Sequence, residues 1–262
     1  MESPHPTPLI AQKSFRLLLF LGGFFIANAV VAEFIGAKIF SLENSFGLPL
    51  LHWKILGVEG SLNFTAGVII WPIVFIMTDI INEYYGMRGV RTLSLITAGL
   101  IGYAFIIVYA AIHLSPASWW VGSYRHLGLE DAQTAFSAVF GQGLRIIIGS
   151  LVAFLIAQIS DAFIFHKIKV RTGEKLFWIR ATVSSFFSQF LDSYVVLYIA
   201  FMTGPNPWPV NQYLAVGSVN YFYKIVAAIL LIPALGFVHR LIDGYLGKDL
   251  AAEMRRQAIY AN

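Results

Sequence analysis

Long apolar segments, separated by short polar ones, dominate the chain. Six segments hold about 20 or more mostly apolar residues, the length that an α-helix needs to cross the hydrocarbon core of a bilayer. They cover residues 17–39, 65–85, 90–114, 145–166, 176–203 and 212–242. The pattern therefore predicts an all-α, polytopic membrane protein: a single domain over residues 1–262 with six transmembrane helices.

The basic residues predict the orientation of these helices. With the N-terminus inside, thirteen Lys and Arg residues lie at the inner ends of the segments, and only Lys54 and Arg125 lie in outer loops. Cytoplasmic loops are enriched in basic residues, so both termini are predicted to be cytoplasmic in a multi-pass protein of the cell (inner) membrane. Asn28 and Glu33 interrupt the first apolar segment, which favours a first span over a cleavable signal.

Composition supports the membrane assignment and excludes several classes of function. Hydrophobic residues make up 58% of the chain and charged residues 12%, against about half and about a quarter in soluble domains. Cysteine is absent, the six histidines show no metal-ligand spacing, and no phosphate-binding loop or hydrolase motif occurs. We therefore expect no catalytic residues, no metal and no cofactor. The formal charge of +4 is interpreted as cytoplasmic loop charge, with no nucleic-acid partner.

The longest outer loop runs from residue 115 to residue 143. Trp119 and Trp120 fit aromatic anchoring at the membrane surface. Residues 130–140 are predicted to form a short interfacial helix.

The strongest cluster of polar residues lies at the end of the second segment. Asp79, Asn82 and Glu83 are spaced i, i+3 and i+4, so they share one face of a helix. Charged groups inside a bilayer are costly and usually face the interior of a helical bundle. The alternative, a helix end solvated by the cytoplasm, fits Glu83 better than the deeper Asp79.

Two further pairs repeat the spacing Gln-x-x-Asp, Gln158 with Asp161 and Gln189 with Asp192. Asp192 follows Arg180 by about twelve residues, or ~18 Å, which places it near the midplane of a ~30 Å core. We therefore expect Asp192 to have the least access to water of all the acidic residues. Lys224 and Arg145 are candidate partners for the acids, and the alternative to a binding role is a set of buried ion pairs that only fix helix packing.

Aromatic residues occur near these polar groups in sequence, at Trp71, Phe75, Phe187, Tyr194 and Tyr223. Stacking on aromatic rings, combined with hydrogen bonds to carboxylates and carboxamides, suits a flat heterocycle. The predicted substrate-binding residues are Trp71, Asp79, Asn82, Glu83, Arg145, Gln158, Asp161, Gln189, Asp192 and Lys224.

Residues 68–91 resemble the queuosine precursor transporters, also classed as vitamin uptake transporters. The motif T-D-I-I-N-E-x-Y-G, followed by basic residues, is matched from Thr78 to Gly86. The resemblance continues at Arg145, Gln158, Asp161, Lys169, Trp178, Arg180, Ser188, Gln189, Asp192, Ser193, Lys224 and Pro233.

The resemblance implies uptake of a 7-deazaguanine such as 7-cyano-7-deazaguanine, its 7-aminomethyl form or queuine. It also implies a six-helix fold like that of the substrate-binding subunits of energy-coupling-factor transporters. The expected partners are a small heterocyclic substrate and the lipid bilayer, with a homodimer as one candidate assembly. Two alternatives stay open: a substrate-binding subunit that needs a separate energising module, and a membrane scaffold or integral membrane enzyme.

Overall fold

A computed structural model describes residues 12–141, 143–172 and 177–260. The described residues form nine α-helices and four short strands. The helices are α1 (Lys13–Ile35), α2 (Leu42–Ser45), α3 (Trp71–Ile112), α4 (Ser118–Val121), α5 (Ala132–Phe140), α6 (Leu144–Thr172), α7 (Phe177–Leu197), α8 (Val210–Leu246) and α9 (Lys248–Tyr260). The strands are β1 (Ile39–Ser41), β2 (Trp53–Ile55), β3 (Val58–Gly60) and β4 (Asn63–Thr65).

Five helical stretches within the described residues are long and apolar enough to cross a membrane. They correspond to α1, α3, α5 with α6, α7 with the π-helical turn that follows it, and α8. The predicted all-α, multi-pass class is thereby confirmed. The first residues of the fifth predicted span, before Phe177, lie outside the described residues.

Helix α3 contains the second and third predicted spans, and it is broken at Gly86. Gly86 has φ 70° and ψ −176°, a conformation that is essentially restricted to glycine. A Cβ atom on Gly89 would lie only 3.5 Å from Cγ2 of Ile81, although residues eight apart in a straight helix are separated by about 12 Å. The chain therefore turns sharply at Gly86.

The first half of α3 runs antiparallel to α1. The hydroxyl of Tyr85, just before the break, donates to the carbonyl of Ser14 near the start of α1, at 2.6 Å. A Cβ atom on Gly67, just before α3 begins, would lie 2.6 Å from the carbonyl oxygen of Ala32 near the end of α1.

The second half of α3 runs parallel to α1. Leu93, soon after the break, approaches Gly22 in the first half of α1. Phe105 packs on Phe34 near the end of α1, with ring centroids 5.4 Å apart. The two halves of α3 thus pack on the same helix in opposite directions.

The segment between α1 and α3 contains strands that the hydrophobic pattern did not indicate. Strands β1 and β4 pair antiparallel, as do β2 and β3. Glu43 joins these elements because its carboxylate accepts hydrogen bonds from the backbone N–H of Leu62 at 2.7 Å and from the hydroxyl of Ser41 at 3.0 Å.

The short helix predicted over residues 130–140 is present as α5, Ala132–Phe140, and its interfacial location stays a prediction. Asp131 caps it, since its carboxylate accepts hydrogen bonds from the backbone N–H groups of Gln133 and Thr134. Helix α9 was not predicted, because it is short and polar on one face.

Helix α9 packs its apolar face against the bundle. Ala251, Met254 and Ala258 are buried, and Arg255 pairs with Asp243 on α8 at 2.6 Å. Helix α9 therefore covers one end of the helical bundle.

Candidate substrate-binding site

The polar face of α3 points into the protein. Thr78, Asp79, Asn82 and Glu83 are all buried, at 0–2% exposure. Their spacing places them on one side of the helix, where α6 and α7 pack. Glu83 is enclosed like the others, so the alternative of a solvated helix end is wrong.

Glu83 is held by two cations. Arg180 on α7 donates from Nη2 to both carboxylate oxygens at 2.7 Å. Lys169 on α6 lies 3.3 Å from Oε2 and donates to the Glu83 carbonyl at 2.6 Å. The guanidinium of Arg180 also lies over the rings of Phe165 and Phe177, 5.2 Å from each centroid. This cluster ties three helices together.

Asp79 meets the corresponding face of α6. Its carboxyl group lies beside that of Asp161, with the hydroxyl of Ser184 next to both. Ser188 on α7 donates to Oδ1 of Asp161 at 2.8 Å. Both acids are enclosed by the surrounding helices, and serine hydroxyl groups of α7 lie beside them.

Two more contacts fix α6 against α3. The hydroxyl of Thr78 donates to Oε1 of Gln158, and the Asn82 amide donates to the carbonyl of Ala162 at 3.0 Å. The structure therefore brings Asp79, Asn82, Glu83, Gln158 and Asp161 into one continuous polar layer.

A second polar group joins four helices. Lys224 on α8 donates to Asp192 on α7, and Ser150 on α6 donates to Glu33 on α1. Glu33 and Asp192 are close enough to interact electrostatically. Lys224, one of the two candidate partners for the acids, is thus the partner of Asp192.

Asp192 is not the most enclosed acid. Its side chain is 15% exposed, whereas the Asp79 and Asp161 residues are exposed by 2% and 0%. The expectation that Asp192 has the least access to water is therefore wrong. That expectation used only the depth of Asp192 along its own helix, but burial also depends on how closely neighbouring helices pack.

A small cavity opens beside Asp79. Its volume is about 30 Å³, the space of one or two water molecules. Asp79 and Gln189 line it together with the aromatic rings of Phe75, Trp178 and Phe186. The remaining lining residues are Pro72, Ile76, Ala181, Thr182, Ser185, Ala228, Ile229, Ile232 and Leu235.

Acceptor oxygens at this cavity lack donors. Oδ1 of Asp79 and Oε1 of Gln189 are buried and accept no hydrogen bond from any described residue. Buried polar atoms in folded proteins are normally satisfied, and an exception calls for a physical explanation.

Trp71 and Arg145 lie apart from the cavity. Trp71 packs on Phe154, with ring centroids 5.6 Å apart. Arg145 is exposed at the start of α6, beside Gly204. The binding role predicted for these two residues is not supported by proximity to the cavity.

Several interior residues were not predicted as part of the site. Lys169 and Arg180 were assigned to cytoplasmic loop charge, yet both are completely buried. Ser184 and Ser188 are spaced i and i+4 on α7, a polar stripe that faces the acids. That stripe was a readable signal, because serine pairs in an apolar helix share one face.

Multiple apolar helices around an enclosed layer of ionisable residues are typical of a multi-pass membrane protein with an interior functional site. The chain matches the family described as "Putative vitamin uptake transporter" over residues 65–238. It therefore belongs to this family of membrane transporters, which are not enzymes.

Relatives support the same family. The chain is 25% identical over 173 residues to the "Queuosine precursor transporter" of Escherichia coli, covering 66% of this chain and 71% of that protein. It is 26% identical over 196 residues to the "Probable queuosine precursor transporter" of Haemophilus influenzae, covering 73% and 76%. A Bacillus subtilis protein of the same description is 24% identical over 173 residues, covering 66% and 70%. No solved structure matches the chain.

Proposed function

We propose that this protein imports a 7-deazaguanine precursor of queuosine, such as 7-cyano-7-deazaguanine, across the cell (inner) membrane. The relatives named queuosine precursor transporters support this assignment. The observation that carries it is the pair of acceptor oxygens without donors, on Asp79 and Gln189, in a cavity with aromatic walls.

The chemistry of the substrate complements this cavity. A guanine-like edge carries adjacent N–H and amine donors, which suit neighbouring acceptor oxygens such as those of Asp79 and Gln189. Trp178 and Phe186 supply flat apolar surfaces for the ring system. The predicted hydrogen bonds would satisfy both oxygens that the closed protein leaves without donors.

The cavity must enlarge to admit this substrate. Ligand sites occupy about 300–1,000 Å³, whereas this cavity holds about 30 Å³. The wall contributed by α8 is apolar and has no hydrogen bond to the acids among the described contacts. Separation of α8 from α3 and α7 would open the cavity, and it would break the contacts of Lys224 with Asp192 and of Tyr84 with Asp243.

We also propose six crossings with both termini in the cytoplasm. The opposite directions of the two halves of α3 along α1 support two crossings within α3. The excess of basic residues at the inner ends supports the orientation.

Binding of purified protein to 7-cyano-7-deazaguanine tests the substrate assignment. We expect the ligand to raise the thermal stability of the protein. Hypoxanthine, which lacks the exocyclic amine, should bind with an affinity that is weaker by roughly tenfold or more. Gln189→Met should weaken binding of the deazaguanine. Gln257→Met, at an exposed glutamine of α9, is the matched control and should not.

Uptake into liposomes that contain only this protein, without ATP, separates a transporter from a substrate-binding subunit. Saturable uptake supports the proposal. Binding without uptake would favour a subunit that needs an energising module, and absence of binding would overturn the substrate assignment.

A further inference from the structure

Two carboxyl groups share an interior site, and no salt bridge between the described residues includes either of them. Asp79 on α3 lies beside Asp161 on α6, and both are almost completely buried. Two carboxylates so close together in a site without bulk water repel each other strongly and lack hydration, so the two groups cannot be ionised at the same time. A single proton on the pair removes the repulsion and forms a hydrogen bond between the groups.

Unsatisfied oxygens mark where a donor is missing. Oδ1 of Asp79 and Oδ2 of Asp161 accept no hydrogen bond from any described residue. Gln189, which is 1% exposed, lines the same cavity with an oxygen that also lacks a donor. Asp79, Asp161 and Gln189 therefore each leave one acceptor oxygen without a donor among the described residues.

The surrounding charges call for one proton as well. Glu83, Lys169 and Arg180 together carry one net positive charge, and Arg180 also acts on Asp79. Two ionised aspartates would make this buried layer negative by one charge. One proton on Asp79 or Asp161 makes it neutral, which lowers the cost of enclosing it.

The other titratable groups near this layer pair among themselves. At its inner side, Asp243 binds Arg255 and Tyr84, with His239 3.5 Å away. On its outer side, Asp192 pairs with Lys224, and Glu33 accepts from Ser150. The α8 residues that line the cavity are apolar: Ala228, Ile229, Ile232 and Leu235.

We propose that Asp79 and Asp161 form a proton-binding site that holds one proton in the closed protein and releases it when the substrate binds. Release follows because N–H donors from the substrate favour the ionised carboxylate. The O–H bond of the carboxyl group breaks, the carboxylate accepts the substrate N–H groups, and the proton passes to water in the opened cavity. The release step rests on the proposed function, whereas proton binding by the closed protein does not.

Infrared spectroscopy of the purified protein tests proton binding without any substrate. The wild type should show a protonated-carboxyl band near neutral pH, and the band should be lost in Asp79→Asn and in Asp161→Asn. Each single variant leaves the charged layer neutral with its remaining acid ionised, so both should fold. Glu33→Gln removes a buried carboxyl group outside the pair and should leave the band of the pair in place.

The pH dependence of stability provides a second measurement. The folded protein holds a proton that the unfolded chain loses above about pH 4, so the contribution of the pair to wild-type stability should fall as the pH rises from that value. Asp79→Asn and Asp161→Asn should flatten this slope, and the double variant, which leaves a net positive layer, should be destabilised. A wild-type band that both single variants retain, or an equal pH slope in all variants, would overturn the proton site.

Proton release tests the link to the substrate. In weakly buffered solution, saturating 7-cyano-7-deazaguanine should release up to about one proton per wild-type protein, and none from Asp161→Asn. Binding without release would overturn the coupling. Absence of binding would refute the proposed substrate, while the infrared result would still decide the proton site.

Discussion

Arg180 places one nitrogen, Nη2, 2.7 Å from each carboxylate oxygen of Glu83, although the two residues are 97 positions apart in the chain. Both side chains are enclosed, at 0% and 1% exposure. Lys169 adds a second cation to the same carboxylate. This contact holds the first half of α7 against the first half of α3, next to the cavity that we assign to the substrate.

Arg180→Gln should destabilise the protein, because it removes one of the two cations that hold the buried carboxylate of Glu83 and leaves only Lys169. Complete loss of compensation for a buried charge costs about 3–5 kcal/mol, so the loss here should be smaller. Thermal unfolding in detergent measures the effect. Arg171→Gln, at an exposed arginine near the end of α6, is the matched control. Equal stability of the two variants would contradict a structural role for the contact.

Asp192→Asn should abolish uptake of a deazaguanine while the protein remains folded in the membrane. The substitution keeps the shape of the side chain but leaves the Lys224 ammonium without its carboxylate. Uptake by intact cells, together with the amount of protein in the membrane fraction, measures both parts. Exchange of the two residues, Asp192→Lys with Lys224→Asp, restores the opposite charges and should recover part of the uptake. Normal uptake by Asp192→Asn would make Asp192 a packing residue.

Gly86→Ala should destabilise the turn within α3 by about 1–3 kcal/mol, because an L side chain is strained at the backbone angles of this position. Gly99→Ala serves as the control, since a Cβ atom there meets nothing within 4 Å. In that helical position alanine should be neutral or stabilising. Unfolding of both variants in mixed micelles compares them, and a neutral Gly86→Ala would argue against the sharp turn.

The proposed six crossings predict which side of the membrane each loop faces. The chain contains no native cysteine, so a single introduced cysteine is the sole thiol. A membrane-impermeant maleimide should label His126→Cys in intact cells, and should label Arg88→Cys only after the membrane is opened. Both positions are exposed on the protein. Labelling of Arg88→Cys from outside would refute the turn of α3 on the cytoplasmic side.

The strands between α1 and α3 should become less stable in acid. The hydrogen bond from the backbone N–H of Leu62 is the largest of the contacts that hold the pKa of Glu43 below its ordinary value. Stability from a lowered pKa is present above the value in the unfolded chain, about 4.3, and is lost as the pH falls through the folded pKa. Amide exchange at Leu62, corrected for intrinsic rates, should therefore lose protection in acid.

Glu43→Gln should lower protection of Leu62 at neutral pH and remove this pH dependence. Glu59→Gln changes an exposed glutamate that pairs with Lys54 and should alter neither. A wild-type protein whose Leu62 protection is the same at about pH 3 and about pH 6 would contradict the role of Glu43.

The sequence by itself determined the membrane class of this protein, the positions of its long apolar helices and the family to which it belongs. These properties are local, because the transfer of a helix into lipid depends on the summed hydrophobicity of about 20 consecutive residues. The motif from Thr78 to Gly86 is local too, and its spacing correctly placed Asp79, Asn82 and Glu83 on one face.

Only the tertiary structure decided which polar groups meet. Thr78 contacts Gln158 across 80 positions, and Glu83 contacts Arg180 across 97. Such contacts depend on the rotation of each helix about its axis and on the closeness of its neighbours, which hydropathy does not specify. For the same reason, Asp192 is less enclosed than Asp161. Lys169 and Arg180, which the sequence analysis counted among the basic residues of cytoplasmic loops, are buried against the carboxylate of Glu83.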